Sequence, residues 1–310
     1  MPQGLIVKAL SGYYYVLPEG AALLEGNTVT CRGRGVFKNR NITPLVGDRV
    51  VYEATENGEG TVTEILPRSS ELIRPPIANV NVVVLVFSVT EPVLNPQLLD
   101  KFLVHIENTG IDVLLCFTKS DLLTDTDDSA SHAKEMTSTE FERITTLYEG
   151  IGYPFVTTSS RLEEGVEAIL QHLDGKVSVF AGQSGVGKSS LLNKMISGLD
   201  LETNAISQRL GRGKHTTRHV ELLPLANGGL VADTPGFSQL DFMEVEAEGL
   251  SSCFREFAAV AEGCRFRGCL HLHEPDCKVR DGVASGTIAA SRYDHYLLFL
   301  TEIKDRKRRY

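Results

Sequence analysis

The sequence predicts an α/β protein in three parts: an N-terminal OB-like β-barrel, a central domain with a mainly parallel sheet, and a helical C-terminal segment around a cysteine-rich cluster. Three observations predict it. Residues 1–68 are rich in Val, Tyr and Thr and broken by Gly- and Asn-containing turns, the pattern of short strands. From Val80 onward, apolar strand-like runs alternate with helical periodicity, which signals parallel strands joined by helices. Past Gly236 the pattern turns helical, and three of the six cysteines crowd into Cys264–Cys277.

The first elements are short. Gly4–Val16, Asn27–Phe37 and Gly47–Leu66 supply barrel strands, with Ile6, Tyr13, Tyr15 and Val16 as wall residues. An OB-like barrel fits this spacing, and an SH3-like barrel is the alternative. Pro67 and the Pro75-Pro76 pair mark the exit. Val80–Val89 is a near-continuous apolar run, as for a strand buried on both faces. Pro96–Gly110 carries Leu98, Leu99, Phe102, Leu103 and Ile106 on one helical face. Ile111–Phe117 is a strand, Thr124–Ser131 an acidic loop, 131–149 a helix, Pro154–Thr158 a strand, Leu162–Leu173 a helix and Lys176–Ala181 a strand. Arg218–Leu225 and Leu230–Asp233 form a hairpin across Asn227-Gly228-Gly229. Leu250, Cys253, Phe254 and Phe257 then recur at helical spacing, and a last helix spans Thr287–Lys304. The expected domains are 1–70, 71–242 and 243–310.

Composition bounds the function. The 310 residues suffice for two or three domains. No apolar run approaches the ~20 residues that cross a bilayer, and Met1–Leu10 lacks the apolar centre of a secretory signal. Six cysteines are too sparse for a disulfide scaffold. A cytoplasmic protein with no membrane partner is expected, a monomer, whose crowded cysteines bind metal. The net charge of −9 excludes a uniformly basic nucleic-acid binder. The deficit lies in residues 71–242, with 13 basic and 22 acidic groups, while both flanks are balanced. Arg32, Arg34, Lys38 and Arg40 form one local basic cluster, and Lys304, Arg306, Lys307, Arg308 and Arg309 another. Such clusters can grip phosphates; a solvated surface is the plainer reading of each.

Gly182-Gln183-Ser184-Gly185-Val186-Gly187-Lys188-Ser189 matches the phosphate-loop pattern and stands between a strand and a helix. Its backbone N–H groups and the following helix N-terminus, with Ser190 in its first turn, suit phosphate oxygens. Lys188 would reach the β- and γ-phosphates, and Ser189 would ligate Mg²⁺. Asp233-Thr234-Pro235-Gly236 follows an apolar strand; Asp233 would hold Mg²⁺ through water and Gly236 would face the γ-phosphate. Thr118-Lys119-Ser120-Asp121 ends another strand. Asp121 can accept both hydrogen bonds of the guanine N1–H and N2–H₂ edge, whereas adenine would leave it unpaired. Lys119 would pack along the base. Thr157-Thr158-Ser159-Ser160 ends the next strand and could offer a backbone N–H to guanine O6.

Order adds information. The base-reading segments 118–121 and 157–160 precede the phosphate loop at 182–189, the reverse of ordinary GTPases, so the central domain is read as a circularly permuted P-loop GTPase. All these loops lie at the carboxyl ends of strands, so the permuted chain can build the same pocket. Between phosphate loop and Asp233 lies Gly211-Arg212-Gly213-Lys214-His215-Thr216-Thr217-Arg218. Thr216 and Thr217 are both candidates for a switch threonine; with Thr217 the magnesium set is Ser189, Thr217 and Asp233. Phe237 stands where other GTPases often have a water-orienting Gln, and His215 is the nearest replacement; a lone loop His is otherwise a surface residue. In the last cluster, Cys264, Cys269, His271 and Cys277 satisfy tetrahedral Zn²⁺ and leave no open position, so the site would be structural. His273 is a rival ligand and Cys253 a core residue. An OB-like barrel with a basic cluster suits RNA, as does a knuckle bearing Arg265, Arg267 and Lys278.

The permuted order, the barrel in front and the Cys₃His knuckle behind together resemble the bacterial small-ribosomal-subunit-dependent GTPases of late 30S maturation. The resemblance covers essentially the whole chain, and Gly182–Ser190, Asp233–Gly236 and the four zinc candidates match position by position. Thr118 departs from it, since that family usually has Asn there. The resemblance implies slow intrinsic GTP hydrolysis stimulated by the 30S subunit, with barrel and zinc domains gripping ribosomal RNA. Rival readings are a GTP-dependent RNA clamp with vestigial hydrolysis, favoured by Phe237 and opposed by Lys188, Ser189 and Asp233, and a P-loop ATPase or kinase, opposed by Asp121. The permutation also leads from Gly236 directly into the C-terminal domain, so the zinc domain is expected to turn between GDP and GTP states.

Overall fold

The computed structural model describes residues 1–24, 26–35, 37, 42–55, 59–73, 75–123, 136–159, 161–196, 220–233 and 245–307. Alternating apolar residues build the first five strands: β1 (Gln3–Leu10), β2 (Tyr13–Pro18), β3 (Val29–Gly33), β4 (Arg49–Ala54) and β5 (Glu59–Ile65). β1 pairs with both β2 and β4, β4 with β5, and β3 runs parallel to β5. The result is a closed five-stranded barrel of OB-like order, which sets the SH3-like alternative aside. Ile6, Val16, Cys31, Val50 and Val62 fill it, all fully buried. Tyr13 and Tyr15 stand in the barrel wall, as strand residues of β2. The pleat that turns Val16 inward sets both tyrosines on the opposite face, where they are half-buried; Tyr15 packs against the apolar core, Arg32 stacks on Tyr13 at 4.8 Å and Lys8 lies over Tyr15. At the exit, Arg68 clasps the fully buried Asp48 with two bonds of 2.8 Å, and burial is outweighed there by a geometry that repays desolvation. A short hairpin follows, β6 (Glu71–Leu72) and β7 (Ile77–Ala78).

The central domain alternates β8 (Val82–Ser88), α1 (Pro96–Glu107), β9 (Asp112–Thr118), α2 (Ser138–Ile151), β10 (Phe155–Thr158), α3 (Val166–Leu173), β11 (Val177–Ala181) and α4 (Lys188–Met195). The hairpin β12 (Glu221–Pro224) and β13 (Leu230–Asp233) completes it. Every residue of β8 is buried, as a strand covered on both faces requires. β10, β9, β8, β11 and β13 are parallel in that order; β12 runs antiparallel beyond β13 and hands on to β1, so one 11-stranded sheet runs from base loop to barrel. Two helix starts differ from expectation. α2 begins at Ser138, capped by Thr137, which accepts the Glu140 N–H; residues 131–135 lie outside the described residues. α3 begins at Val166 rather than Leu162, because Ser159 and Glu164 exchange backbone hydrogen bonds and Glu163 takes φ +58°, which no α-helix accommodates.

The C-terminal segment has a 3₁₀ turn (Leu250–Cys253), α5 (Arg255–Ala261), α6 (Lys278–Ser285) and α7 (Ala290–Lys307). Leu250, Cys253, Phe254 and Phe257 are all buried together, yet not on one helix: Phe254 is extended, at φ −110° and ψ 105°. Val104 of α1 belongs to the same apolar cluster. A polar network reinforces that contact. Fully buried Asp100 of α1 accepts from Arg292, from His295 Nδ1 at 2.5 Å and from the Tyr148 hydroxyl at 2.6 Å. Arg292 also donates to both Glu256 oxygens, at 2.7 and 3.0 Å. Burial works against its charge, but Asp100 and Glu256 outweigh burial and raise its pKa. Among the described residues, no helix is long and apolar enough to cross a membrane.

Candidate functional site

The loops that matter leave the carboxyl ends of β10, β9 and β11, with β8 lying between β9 and β11 in the sheet. Gly182 opens the phosphate loop at φ +136°, and a Cβ there would lie 2.1 Å from the Val86 carbonyl oxygen; β8 passes so close that only glycine fits. Gly187, at φ +94°, starts α4, so the backbone donors of Lys188, Ser189 and Ser190 form the helix N-terminus. The Lys188 ammonium curls over the loop, donating to the Gly182 carbonyl at 2.7 Å and to that of Gln183. Gln183 and Ser189 are half-buried, Ser184 and Gly185 exposed, and Val186 anchors the loop in the apolar cluster beneath the sheet.

Thr118 ties the 118–121 loop to this one. Its buried hydroxyl donates to the Val186 carbonyl at 2.6 Å, with the Phe87 carbonyl farther off at 3.3 Å. The brace that an Asn would supply is thus made here by a shorter side chain. Lys119 adopts φ +60° and its ammonium reaches the Glu91 carbonyl. The 3₁₀ turn Ser120–Leu122 presents Asp121, whose Oδ1 accepts from the Ser159 hydroxyl at 2.6 Å. That hydroxyl in turn accepts the Leu162 N–H. The Ser159 backbone N–H is spent on Glu164, at 3.3 Å. Ser159 therefore acts on the base loop by its side chain, fixing the Asp121 rotamer, a role the sequence did not suggest. A cleft of about 210 Å³ opens between the two loops, lined by Thr118, Lys119, Ser159, Gly187, Ser190 and Lys194 among others.

Asp233 ends β13, beside β11, in ladder register with Glu221. Its side chain, and His215, Thr216, Thr217, Gly236, Phe237, Ser160, Lys38, Arg40, Arg308 and Arg309, lie outside the described residues.

The second cluster brings its four residues together. The ligand atoms of Cys264, Cys269, His271 and Cys277 all lie within 4.8 Å of one another, and His271 Nδ1 faces the Cys277 and Cys264 sulfurs at 3.3 and 3.8 Å. Tetrahedral coordination with ~2.3 Å metal–sulfur bonds needs edges of about this length, so the donor set fits a metal ion. Burial pushes the Cys269 thiol up to about 12 and the His271 imidazole down, so metal entry would have to drive thiol proton release. Exposed His273 stands outside the cluster and Cys253 sits in the core. Glu274 shapes the turn, accepting backbone N–H groups of Leu270, Leu272 and His273 at 2.8–3.1 Å. Burial would raise its pKa, but these donors outweigh burial and lower it. Tyr293 and Tyr296 of α7 donate to the His271 and Leu270 carbonyls. No sequence pattern announced Glu274 or these tyrosines.

A phosphate loop after the fourth strand of a parallel sheet, braced by a Thr-Lys-Ser-Asp loop that precedes it in the chain, has the arrangement of a circularly permuted P-loop GTPase. Comparison with known proteins makes the class specific. Residues 65–243 match the RsgA GTPase family model and residues 3–62 the RsgA N-terminal domain. The chain belongs to the RsgA GTPase family. Proteins named small ribosomal subunit biogenesis GTPase RsgA are 52% identical in Geobacillus thermodenitrificans and 51% in Bacillus subtilis, each covering the whole of both chains over 310 residues. Among solved structures, YloQ, described as a circularly permuted GTPase, superposes with a TM-score of 0.82 at 44% identity, over 99% of this chain and 96% of that one. YjeQ from Thermotoga maritima gives 0.81 at 36%, over 97% and 98%.

Proposed function

We propose that this GTPase acts on the small ribosomal subunit late in its maturation, in the cytoplasm, as a monomer whose slow hydrolysis the subunit stimulates. The observation that carries the reading is similarity over the full length to relatives of about 50% identity that bear the small-subunit name. Residues 1–70 serve as the RNA-binding barrel, 71–242 as the GTPase domain and 243–310 as the zinc domain. Arg32 and Arg34 on one flank, and Arg265, Arg267 and the basic end of α7 on the other, are the phosphate-facing groups.

In this reading the backbone from Gly182 to Ser190 cradles the phosphates, and Lys188 exchanges two loop carbonyls for β- and γ-phosphate oxygens. Asp121, held by Ser159, accepts from the guanine N1–H and N2–H₂; Lys119 lies along the base and Ser120 sets the turn. Ser189, Thr217 (or its neighbour Thr216) and Asp233 would hold Mg²⁺, which when bound offsets charge on the phosphate oxygens. His215 orients the attacking water, a task Phe237 cannot perform. Three thiolates and one imidazole, with no open position, favour a structural Zn²⁺.

Single-turnover hydrolysis with and without 30S subunits tests the reading, with co-sedimentation under GDP and a non-hydrolysable GTP analogue. Stimulation by subunits and nucleotide-dependent binding are expected. Subunit binding without any stimulation would replace the enzyme reading by a GTP-dependent clamp; no binding in either state would refute the ribosomal assignment.

A further inference from the structure

Barrel and central domain share an apolar cluster, and a strand ladder joins them as well. Among the described residues, β1 pairs with β12 at Lys8 and Glu221, and Lys8 Nζ closes an ion pair on Glu221 Oε2 at 2.9 Å. On its other edge the same Glu221 is the ladder partner of Asp233. One residue thus stands between a barrel lysine and the aspartate that ends β13. The ladder of β1 with β2 is irregular between Ile6 and Lys8, immediately before the rung. A bulge at such a place twists the strand and re-aims the side chain that follows. Closure of the barrel requires none of this, since β1 already pairs with β2 and β4.

We propose that Lys8 and Glu221 are positioning residues for GTP hydrolysis, through which the barrel sets the placement of Asp233. The inference rests on the reading of Asp233 as the magnesium-side aspartate. β12 has only four residues, with β13 on one edge and β1 on the other. A shift of β1 is therefore passed on to β13 rather than absorbed along a long strand. The pair is partly exposed, at 33% for Lys8 and 40% for Glu221, so it adds little to global stability. Its strength enters the barrier wherever Asp233 must be correctly held when the γ-phosphate leaves. Whatever presses on the barrel acts through the same rung, and linkage makes that coupling reciprocal in binding.

The test uses the full chain as Lys8→Met, Glu221→Gln and the charge-swapped double variant K8E/E221K, with Asp233→Asn as reference. Turnover at saturating GTP, KM for GTP, affinity for a fluorescent GDP and the thermal midpoint are measured. Each single substitution should lower kcat about two- to fivefold, as expected for one screened ion pair. KM, GDP affinity and thermal midpoint should stay near the wild-type values, and the charge swap should recover most of the loss. Wild-type kcat in the single variants overturns the proposal, as does a double variant as slow as both losses combined. A fall in kcat matched by a fall in thermal midpoint reduces the pair to a fold contact, and also overturns it. Undiminished turnover in Asp233→Asn would strike the underlying reading of Asp233 instead, and is separable because it leaves the Lys8 and Glu221 results on record.

Discussion

At the scale of single residues, the aspartate proposed to read guanine is itself held. Asp121 receives the Ser159 hydroxyl at 2.6 Å, so its free oxygen and its orientation are set before any base arrives. Asp121→Asn should weaken GTP and gain xanthosine triphosphate, because the amide can donate to the extra oxygen at C2; competition between the two nucleotides reads this directly. Ser159→Ala should leave the base preference intact and weaken GTP and GDP together by ~1 kcal/mol, the worth of one orienting hydrogen bond. Thr118 offers a parallel case. Its hydroxyl is 2.6 Å from the Val186 carbonyl, so the isosteric Thr118→Val should loosen the phosphate loop and cost ~1 kcal/mol in affinity for both nucleotides. Unchanged GDP affinity in a calorimetric titration would remove Thr118 from the brace. The placement of the 118–121 loop and of the phosphate loop at strand ends was legible because such loops demand fixed residue types at fixed spacing. The Ser159 contact was not, because it joins two strands 38 residues apart, and a Ser at a strand end looks the same whichever way its hydroxyl points.

At the scale of elements, the knuckle shows how a segment with little apolar mass is held in shape. Cys264, Cys269, His271 and Cys277 converge at its ends, Glu274 collects three backbone donors within the turn, and two tyrosines of α7 fasten the carbonyls. Cys269→Ser should lose the metal and unfold this segment locally, since metal binding and local folding are one process, while nucleotide binding survives. Elemental analysis of the purified protein should find one equivalent of zinc before the substitution and none after it. Glu274 contributes separately. Its folded pKa is depressed, so its stabilisation is fully present above the ordinary Glu value near ~4.3. It is lost as the pH falls through the lowered folded value. Glu274→Gln should therefore flatten the acid limb of knuckle stability, followed by amide exchange of residues 270–273. The convergence of Cys264, Cys269, His271 and Cys277 could be read from their spacing, but Glu274 could not: a carboxylate among turn donors differs in sequence from no other surface glutamate. Element types were legible for the same reason that some bounds were not. Apolar periodicity marks a helix or strand, while Glu163, with φ +58°, and the extended Phe254 interrupt helices without disturbing the pattern.

At the scale of the whole molecule, the question is which parts can move together. A chain that runs from Gly236 directly into the C-terminal segment suggests a lever that turns with the nucleotide; residues 234–244 themselves lie outside the described residues. The contact between the C-terminal segment and α1 argues for a fixed joint instead. Arg292 and Asp100 are both fully buried, joined to Glu256, Tyr148 and His295, and Arg255 adds bonds to Glu107 and the Gly152 carbonyl at 2.7 Å. Nothing in the sequence foretold this joint, because an Arg in an amphipathic helix reads as surface and its partner is 192 residues away. Sliding the joint would strip Asp100 of its counter-charge within the protein, and breaking such a pair costs ~3–5 kcal/mol. A nucleotide-state coupling of the usual ~1–3 kcal/mol cannot supply that. The C-terminal segment should therefore keep its place on α1 in both states, and the nucleotide signal should travel toward the barrel through β12. Spin labels on exposed positions of α1 and α7 should report the same distance under GDP and under a non-hydrolysable GTP analogue. Arg292→Met should lower the thermal midpoint in a single transition shared by the central and C-terminal domains, and a label pair that was fixed before should then broaden. A distance that changes with nucleotide in the unsubstituted protein would show that the buried pair yields, and would restore the lever.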